Sequence, residues 1–279
     1  MFIFKSLIYF ISWILSLQKD KGREIHLQNI QWRIKVGLGI AAGRRLDSYL
    51  NYHSSKVKYD KYKERDFEDE VKAKKYYKRD GGYLVANMQE IRKYYLKNVI
   101  SSIEELIPYK EEINVLEVGC GNAINLLYLK NKFLNNRCKI NLEGFDISSK
   151  RLDVGRDKYG ADIESINLYQ GNSIFSSSYK SKIWDIIFSV CSLEQLSNAA
   201  PLALKQMIAA GKTIIVVEPM PEIGSSEQGL YNLFTRQSVG LLNEIFTNKN
   251  VTSYTTPEII EVLHYPFNPV GSCIIKTKN

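Results

Sequence analysis

The side chains of this chain that could do chemistry recur at one kind of place, just after a short apolar run. Glu117, Gly119, Cys120 and Gly121 stand at and beyond the end of the run 113–118. Asp146 and Ile147 follow 140–145, and Asn172 and Ser173 follow 166–170. Ser189 lies near the end of 184–190 with Glu194 a few residues on, and Glu218 closes 213–217. Gly119 and Gly121 lack Cβ atoms, so a turn there can be tight and a ligand can come close to the backbone. A helix opening behind that turn, at about Asn122, would face the ligand with free N–H groups and a partial positive charge. A carboxylate such as Asp146 accepts strong hydrogen bonds from hydroxyls. Asn172 offers an acceptor and a donor from one amide. Glu194 and Glu218 are acids able to take a proton from a bound molecule.

Each of these residues alone has a plain structural use. Asp146 could cap a helix, Asn172 could make a turn, and the glycines could serve any strand-to-helix turn. Four such signals at consecutive strand ends point instead to one shared crevice of the kind that binds nucleotide-like cofactors.

The elements that must position these residues can be read from the pattern. The apolar runs at 113–118, 140–145, 166–170, 184–190 and 213–217 read as buried strands. Helices are expected between them, opening near 122, at 149–159 and at 201–210. Two more strands are expected at the end of the chain, one within 251–265 and one at 271–276. Strand alternating with helix predicts an α/β fold, a doubly wound and mostly parallel seven-stranded sheet with helices on both faces. Upstream, 83–106 reads as one helix stopped by Pro108, and Asp80-Gly81-Gly82 is a turn signal. The chain divides there into an N-terminal helical extension, 1–80, and a larger domain, 81–279.

The order Glu117-x-Gly119-x-Gly121, Asp146, Asn172 and then 184–196 resembles the motif series of class I S-adenosylmethionine-dependent methyltransferases, over roughly 113–218. The resemblance implies a Rossmann-like methyltransferase fold for 81–279 and S-adenosyl-L-methionine as the cofactor. It implies cofactor contacts from Glu117, Gly119, Cys120, Gly121, Asp146, Ile147, Asn172, Ser173 and Ser189. The glycine turn would receive the carboxylate and sulfonium side, Asp146 the ribose hydroxyls, and Ile147 and Asn172 the adenine. Two positions depart from the family pattern. Gln195 stands where many small-molecule members carry a histidine, and an amide takes no proton near neutral pH. Asn172 stands where aspartate is more common. Residues 189–192 read Ser-Val-Cys-Ser, with neither the Asn/Asp-Pro-Pro-aromatic motif of amino-directed nucleic-acid enzymes nor a Pro-Cys pair. Cys191 therefore reads as a small buried residue. The acceptor implied is a hydroxyl or carboxyl of a small molecule, a glycan or a lipid-linked intermediate. Glu194 and Glu218 are the candidate bases, with His264 and His53 behind them.

At 279 residues and 44% apolar, the chain has room for one α/β domain and an appendage. The four cysteines form no C-x-x-C pair and the three histidines are scattered, so neither a metal site nor a disulfide framework is expected. Reduced thiols suit the cytoplasm. Residues 2–17 are almost wholly apolar, include Tyr9 and Trp13, and are followed by Lys19, Lys21 and Arg23. As a helix the stretch is shorter than the ~30 Å hydrocarbon core. It reads either as an attachment to the inner face of the membrane or as a helix packed on the domain. A signal peptide is poorly supported, because the positive start is a lone Lys5. The net charge of +8 permits an anionic partner but selects none. Residues 51–80 interleave Lys and Tyr with nearly as many acids, which reads as a solvated connector, so nucleic acid is not an expected partner. Gly37-x-Gly39-x-x-Ala42 matches a dinucleotide pattern formally, but no apolar strand ending in an acid follows it. Two other classes stay open: a cofactor-binding assembly subunit without catalysis, and an RNA methyltransferase guided by 56–79.

Overall fold

The computed structural model describes residues 75–79, 82–86, 88–219, 241–260 and 270–279. The readings made for 2–17, 37–43, 51–74, His53 and His264 lie outside these residues.

Two short strands come first, β1 (Lys75–Arg79) and β2 (Gly82–Ala86), paired antiparallel with Arg79 opposite Gly82. The Asp80-Gly81 pair stands between them, a dipeptide favoured in two-residue hairpin connections. The predicted single helix over 83–106 is therefore corrected. Its start belongs to β2, and the remainder is two helices, α1 (Met88–Tyr95) and α2 (Lys97–Leu106). The Tyr83-Leu84-Val85 run is rich in residues that suit a strand as well as a helix, and the hairpin partner decides. Pro108 sits in a short 3₁₀ turn, Ile107–Tyr109, directly after α2.

The sheet follows. Its strands are β3 (Glu112–Val118), β4 (Lys139–Asp146), β5 (Asn167–Gln170), β6 (Trp184–Val190), β7 (Gly211–Pro219), β8 (Val251–Tyr254), β9 (Glu258–Ile260) and β10 (Val270–Thr277). The lateral order is β5-β4-β3-β6-β7-β10-β8, with β9 on the same side of β10 as β8. Strands β3 to β7 are parallel, and β10 runs antiparallel to its neighbours. The seven-stranded, mostly parallel sheet expected from the sequence is thus present, its outer position shared by two short pieces. The chain leaves β3 toward β5, then returns to β6 on the other side. That reversal opens a crevice at the carboxyl ends of β3 and β6.

Both faces of the sheet are buried, so its strands read as nearly continuous apolar runs. Alternation sends Val115, Ile186, Phe188, Ile215 and Val217 to one face, under α1, α2, α3 (Ile124–Phe133) and α4 (Ser149–Tyr159). Leu116, Val118, Ile187, Ile214 and Val216 go to the other, under α5 (Ala200–Ala210) and α6 (Leu241–Thr247). Helix α4 starts where the sequence predicts. Ser148 caps it, its hydroxyl accepting from the Arg151 amide at 3.3 Å.

Helix α4 crosses very close to the turn after β3. A Cβ on Gly155 would stand 2.5 Å from the carbonyl oxygen of Asn122. Alanine ordinarily favours a helix interior over glycine, but here it collides with backbone. Gly155→Ala is expected to destabilise the protein by about 1–3 kcal/mol, read by urea denaturation, through the overpacking it forces. A neutral or stabilising result would mean that α4 and the turn are not held as closely as the coordinates place them.

Candidate active site

The turn after β3 is built from left-handed residues. Gly119, Gly121 and Ala123 have φ of 70°, 56° and 63°. Helix α3 begins at Ile124, two residues later than expected. The reason is that the intervening residues fold back on β4. The amides of Gly119 and Cys120 both donate to the Phe145 carbonyl, at 2.8 and 3.0 Å, and the Ala123 amide donates to the Cys120 carbonyl at 2.9 Å. The Gly121 amide donates to Asp146 Oδ2 at 2.9 Å. The N–H groups of Gly119, Cys120, Gly121 and Ala123 are thus spent inside the protein. What the turn offers is space. Cys120 contributes backbone only, since its thiol is buried in the core beside Gly144.

Asp146 ties the turn to its neighbours. Its second oxygen accepts from the Ser148 amide at 2.9 Å, and its carbonyl accepts from the Gly171 amide at 3.0 Å. Each carboxylate oxygen keeps a further lone pair for another donor. Ile147, just beyond, is half-buried at the rim. Asn172 Oδ1 accepts from the Ile174 amide at 3.1 Å, which fixes the orientation of the side chain. Its Nδ2 is buried and has no partner among the described residues. Ser173 is buried, its carbonyl accepting from the Tyr179 hydroxyl at 3.0 Å.

The loop after β6 closes the other side. Cys191 is left-handed at φ 50° and leads into a 3₁₀ turn, Leu193–Ala199. Glu218, at the end of β7 and wholly buried, holds this loop. Its Oε1 accepts from the Ser192 and Leu193 amides at 2.9 and 3.0 Å, and its Oε2 from the Glu194 amide at 3.1 Å. Burial pushes the Glu218 carboxyl up to about 7, with Glu194 adding to the rise and the three amides opposing it. Burial, then the Glu194 and Glu218 carboxylates, push the Cys191 thiol well above its usual range, which removes it as a thiolate nucleophile. Ser192 donates its hydroxyl to the Val118 carbonyl at 2.9 Å. Its Cβ would lie only 2.5 Å from a Cβ on Gly119, so the glycine is required by this contact as well as by its φ.

Three buried polar atoms at these strand tips have no partner among the described residues: Glu117 Oε2, Asn172 Nδ2 and Ser189 Oγ. Ser189 pairs in register with Val118, which places it beside the end of β3. Buried polar atoms are otherwise satisfied as a rule, so exceptions at the carboxyl ends of β3, β5 and β6 stand out, with Glu117 and Ser189 on opposite faces of the sheet. The carboxylates elsewhere in the sheet show the contrast. Glu143, midway along β4, is held by Lys180, by Lys182 at 2.7 Å and by the Asn167 amide at 2.9 Å. Asp185, near the start of β6, is held by Lys110, by Lys212 at 3.3 Å and by the Asn114 amide at 3.0 Å. Burial alone would raise both, yet these partners bring them below the usual carboxylate range. A surface cavity of about 430 Å³ between Arg156, Ile163 and Leu168 contains none of the unpartnered atoms.

A family model described as "Methyltransferase domain" matches residues 116–211. The match covers about a third of the chain, from β3 to the start of β7. The fold is that of several solved structures. The DszA carbon methyltransferase is 10% identical, with 69% of this chain and 55% of that chain covered and a TM-score of 0.52. The CurJ carbon methyltransferase is 12% identical, with 67% and 54% covered and a TM-score of 0.50. The [4+2]-cyclase SpnF is 12% identical, with 72% and 84% covered and a TM-score of 0.50. The chain spans about half the length of the two carbon methyltransferase structures. No curated protein matches it by sequence.

Three residues that the sequence did not single out support these strand tips. Ser192 locks the loop to the turn, Asn125 bonds Glu117, and Arg92 bonds Asn125. Asn125 is a polar residue within an apolar helical stripe, and that was the available signal.

Removing the Glu218 carboxylate leaves three backbone amides without an acceptor. Glu218→Ala is expected to cost about 2–4 kcal/mol of stability in urea denaturation, since buried unmade hydrogen bonds are expensive. An unchanged midpoint would show that the loop does not depend on it.

Proposed function

We propose that this chain is an S-adenosylmethionine-dependent methyltransferase acting on a hydroxyl or carboxyl of a small molecule, a glycan or a lipid-linked intermediate. The unpartnered Glu117 Oε2 and Asn172 Nδ2 at the strand tips carry the reading. An adenosyl group with an amino-acid tail brings a cation for Glu117 and a ring nitrogen for Asn172 Nδ2, and its ribose hydroxyls suit Asp146.

The cofactor, when bound, supplies a methyl group already activated by its sulfonium. The chain's own residues then bind, align the acceptor and exclude water. We assign Gly119 and Gly121 to making room, Asp146 to the ribose, Ile147 and Asn172 to the adenine, and Ser173 and Ser189 to the crevice wall. Glu218 has both oxygens committed to loop amides, so we assign it to holding the loop. Glu194, half-buried on that loop, is the acid we place beside the acceptor. An acceptor that arrives as a carboxylate needs no base. We place the enzyme in the cytoplasm, with 2–17 as its contact with the inner face of a membrane. Among the described residues no helix is long and apolar enough to cross one.

A second reading, cofactor binding without methyl transfer, is favoured by the commitment of Glu218 and by Gln195 in the loop. Labelled S-adenosylmethionine incubated with a cell extract separates the two. Label in a lipid, polysaccharide or small-molecule fraction supports the first, and saturable binding with no transfer supports the second. Asp146→Ala is expected to weaken S-adenosylhomocysteine binding by about 2 kcal/mol or more in calorimetry, through the unpaired ribose hydroxyls. Unchanged affinity would reject the assignment of this crevice.

A further inference from the structure

We propose that Arg92 and Asn125 are positioning residues for Glu117, and that loading the cofactor's amino-acid end onto the carboxyl they hold releases a proton. The inference rests on the cofactor reading above and deepens it.

Glu117 alternates with Leu116 and Val118, so it faces α1 to α4 along with Val115. There Asn125, in the first turn of α3, donates Nδ2 to Glu117 Oε1 at 2.7 Å. Arg92, on α1, donates Nε to Asn125 Oδ1 at 2.9 Å. Arg92 is 5% exposed and Glu117 1%. The chain of bonds has a direction. An arginine can only donate, so the amide oxygen must turn to Arg92 and the amide nitrogen to Glu117. This holds Oε1 and leaves Oε2 bare. Arg92 lies on a helix upstream of the matched segment 116–211.

A buried carboxyl with one neutral donor is cheaper protonated than charged. The groups around it agree. Burial raises Glu117 to about 8, Asp146 on β4 adds to the rise, and Asn125 and Arg92 oppose it. Cys120 in the turn and Tyr159 on α4, beside Arg92, are both pushed above their ordinary ranges, chiefly by burial, and stay neutral at pH 7. An ammonium arriving at Oε2 reverses the balance. The O–H bond at Glu117 breaks, its electron pair stays on oxygen, the proton passes to solvent, and the carboxylate pairs with the ammonium. The group is neutral in the empty site below about 8 and ionised in the filled one. Affinity therefore rises with pH up to that value, by as much as about tenfold per pH unit.

Calorimetric titration with S-adenosylhomocysteine at pH 7, in two buffers of different ionisation enthalpy, counts the protons. About one proton per ligand is expected to leave the wild-type protein, and none Glu117→Gln. Arg92→Met is expected to move the pH at which affinity levels off upward. It should leave affinity for 5′-methylthioadenosine, which lacks the amino-acid end, unchanged. Should Arg92→Met fail to fold, the proton counts of the other two proteins still decide. Binding of both ligands with no proton released by the wild type, or with release retained in Glu117→Gln, overturns this inference and leaves the cofactor reading standing. Failure of both ligands to bind overturns the cofactor reading as well.

Discussion

One carboxylate holds the crevice in shape. Asp146 accepts from Gly121 with one oxygen and from Ser148 with the other, so the turn after β3 and the start of α4 are fastened to a single side chain. The bond is possible only because β3 and β4 run parallel in a register that sets Val118 beside Phe145. The Phe145 carbonyl then takes two more amides of the same turn. Sheet register, turn shape and the placing of Glu117 are thus consequences of one another. Charge-assisted bonds to backbone amides are among the stronger ones a buried carboxylate can make.

The acids of this sheet are handled in three ways, and the difference separates scaffold from site. Glu143 and Asp185 lie away from the tips and are neutralised by lysines. Glu218 is buried at a tip but discharged into three amides of a loop. Glu117 alone among them keeps a buried oxygen with no partner among the described residues. Desolvating a polar atom without pairing it costs free energy. A fold that tolerates this at the switch point of its sheet, while satisfying its other acids, has left room for a binding partner.

The sheet was legible because each strand is a short apolar run ending in a polar or glycine residue, a pattern imposed by burial on both faces. The helix at 149–159 was legible from the alternation of strand and helix along the chain. The early part of the domain was not. Tyr83 to Val85 serve a strand as readily as a helix, and the turn signal at 80–82 reads as a boundary between parts of the chain as readily as a hairpin connection. The late start of α3 was missed because it depends on a carbonyl of β4, a residue remote in sequence. Asp146, Asn172 and Ser189 could be picked out by position after a strand. Arg92 could not, since its part is set by helix packing across the face of the sheet. The purpose of Glu218 was hidden for the same reason: nothing local tells a carboxylate at a strand end whether loop amides or a substrate will meet it.

Ser192 fills the space that a side chain at Gly119 would need, while its hydroxyl and amide are bonded to opposite walls. The floor of the crevice is therefore preorganised. Its ordering entropy is met during folding and is not charged against ligand capture. Discrimination between similar molecules then falls to rigid shape at this floor, and any adaptation to a bulkier guest must come from the rim at Ile147.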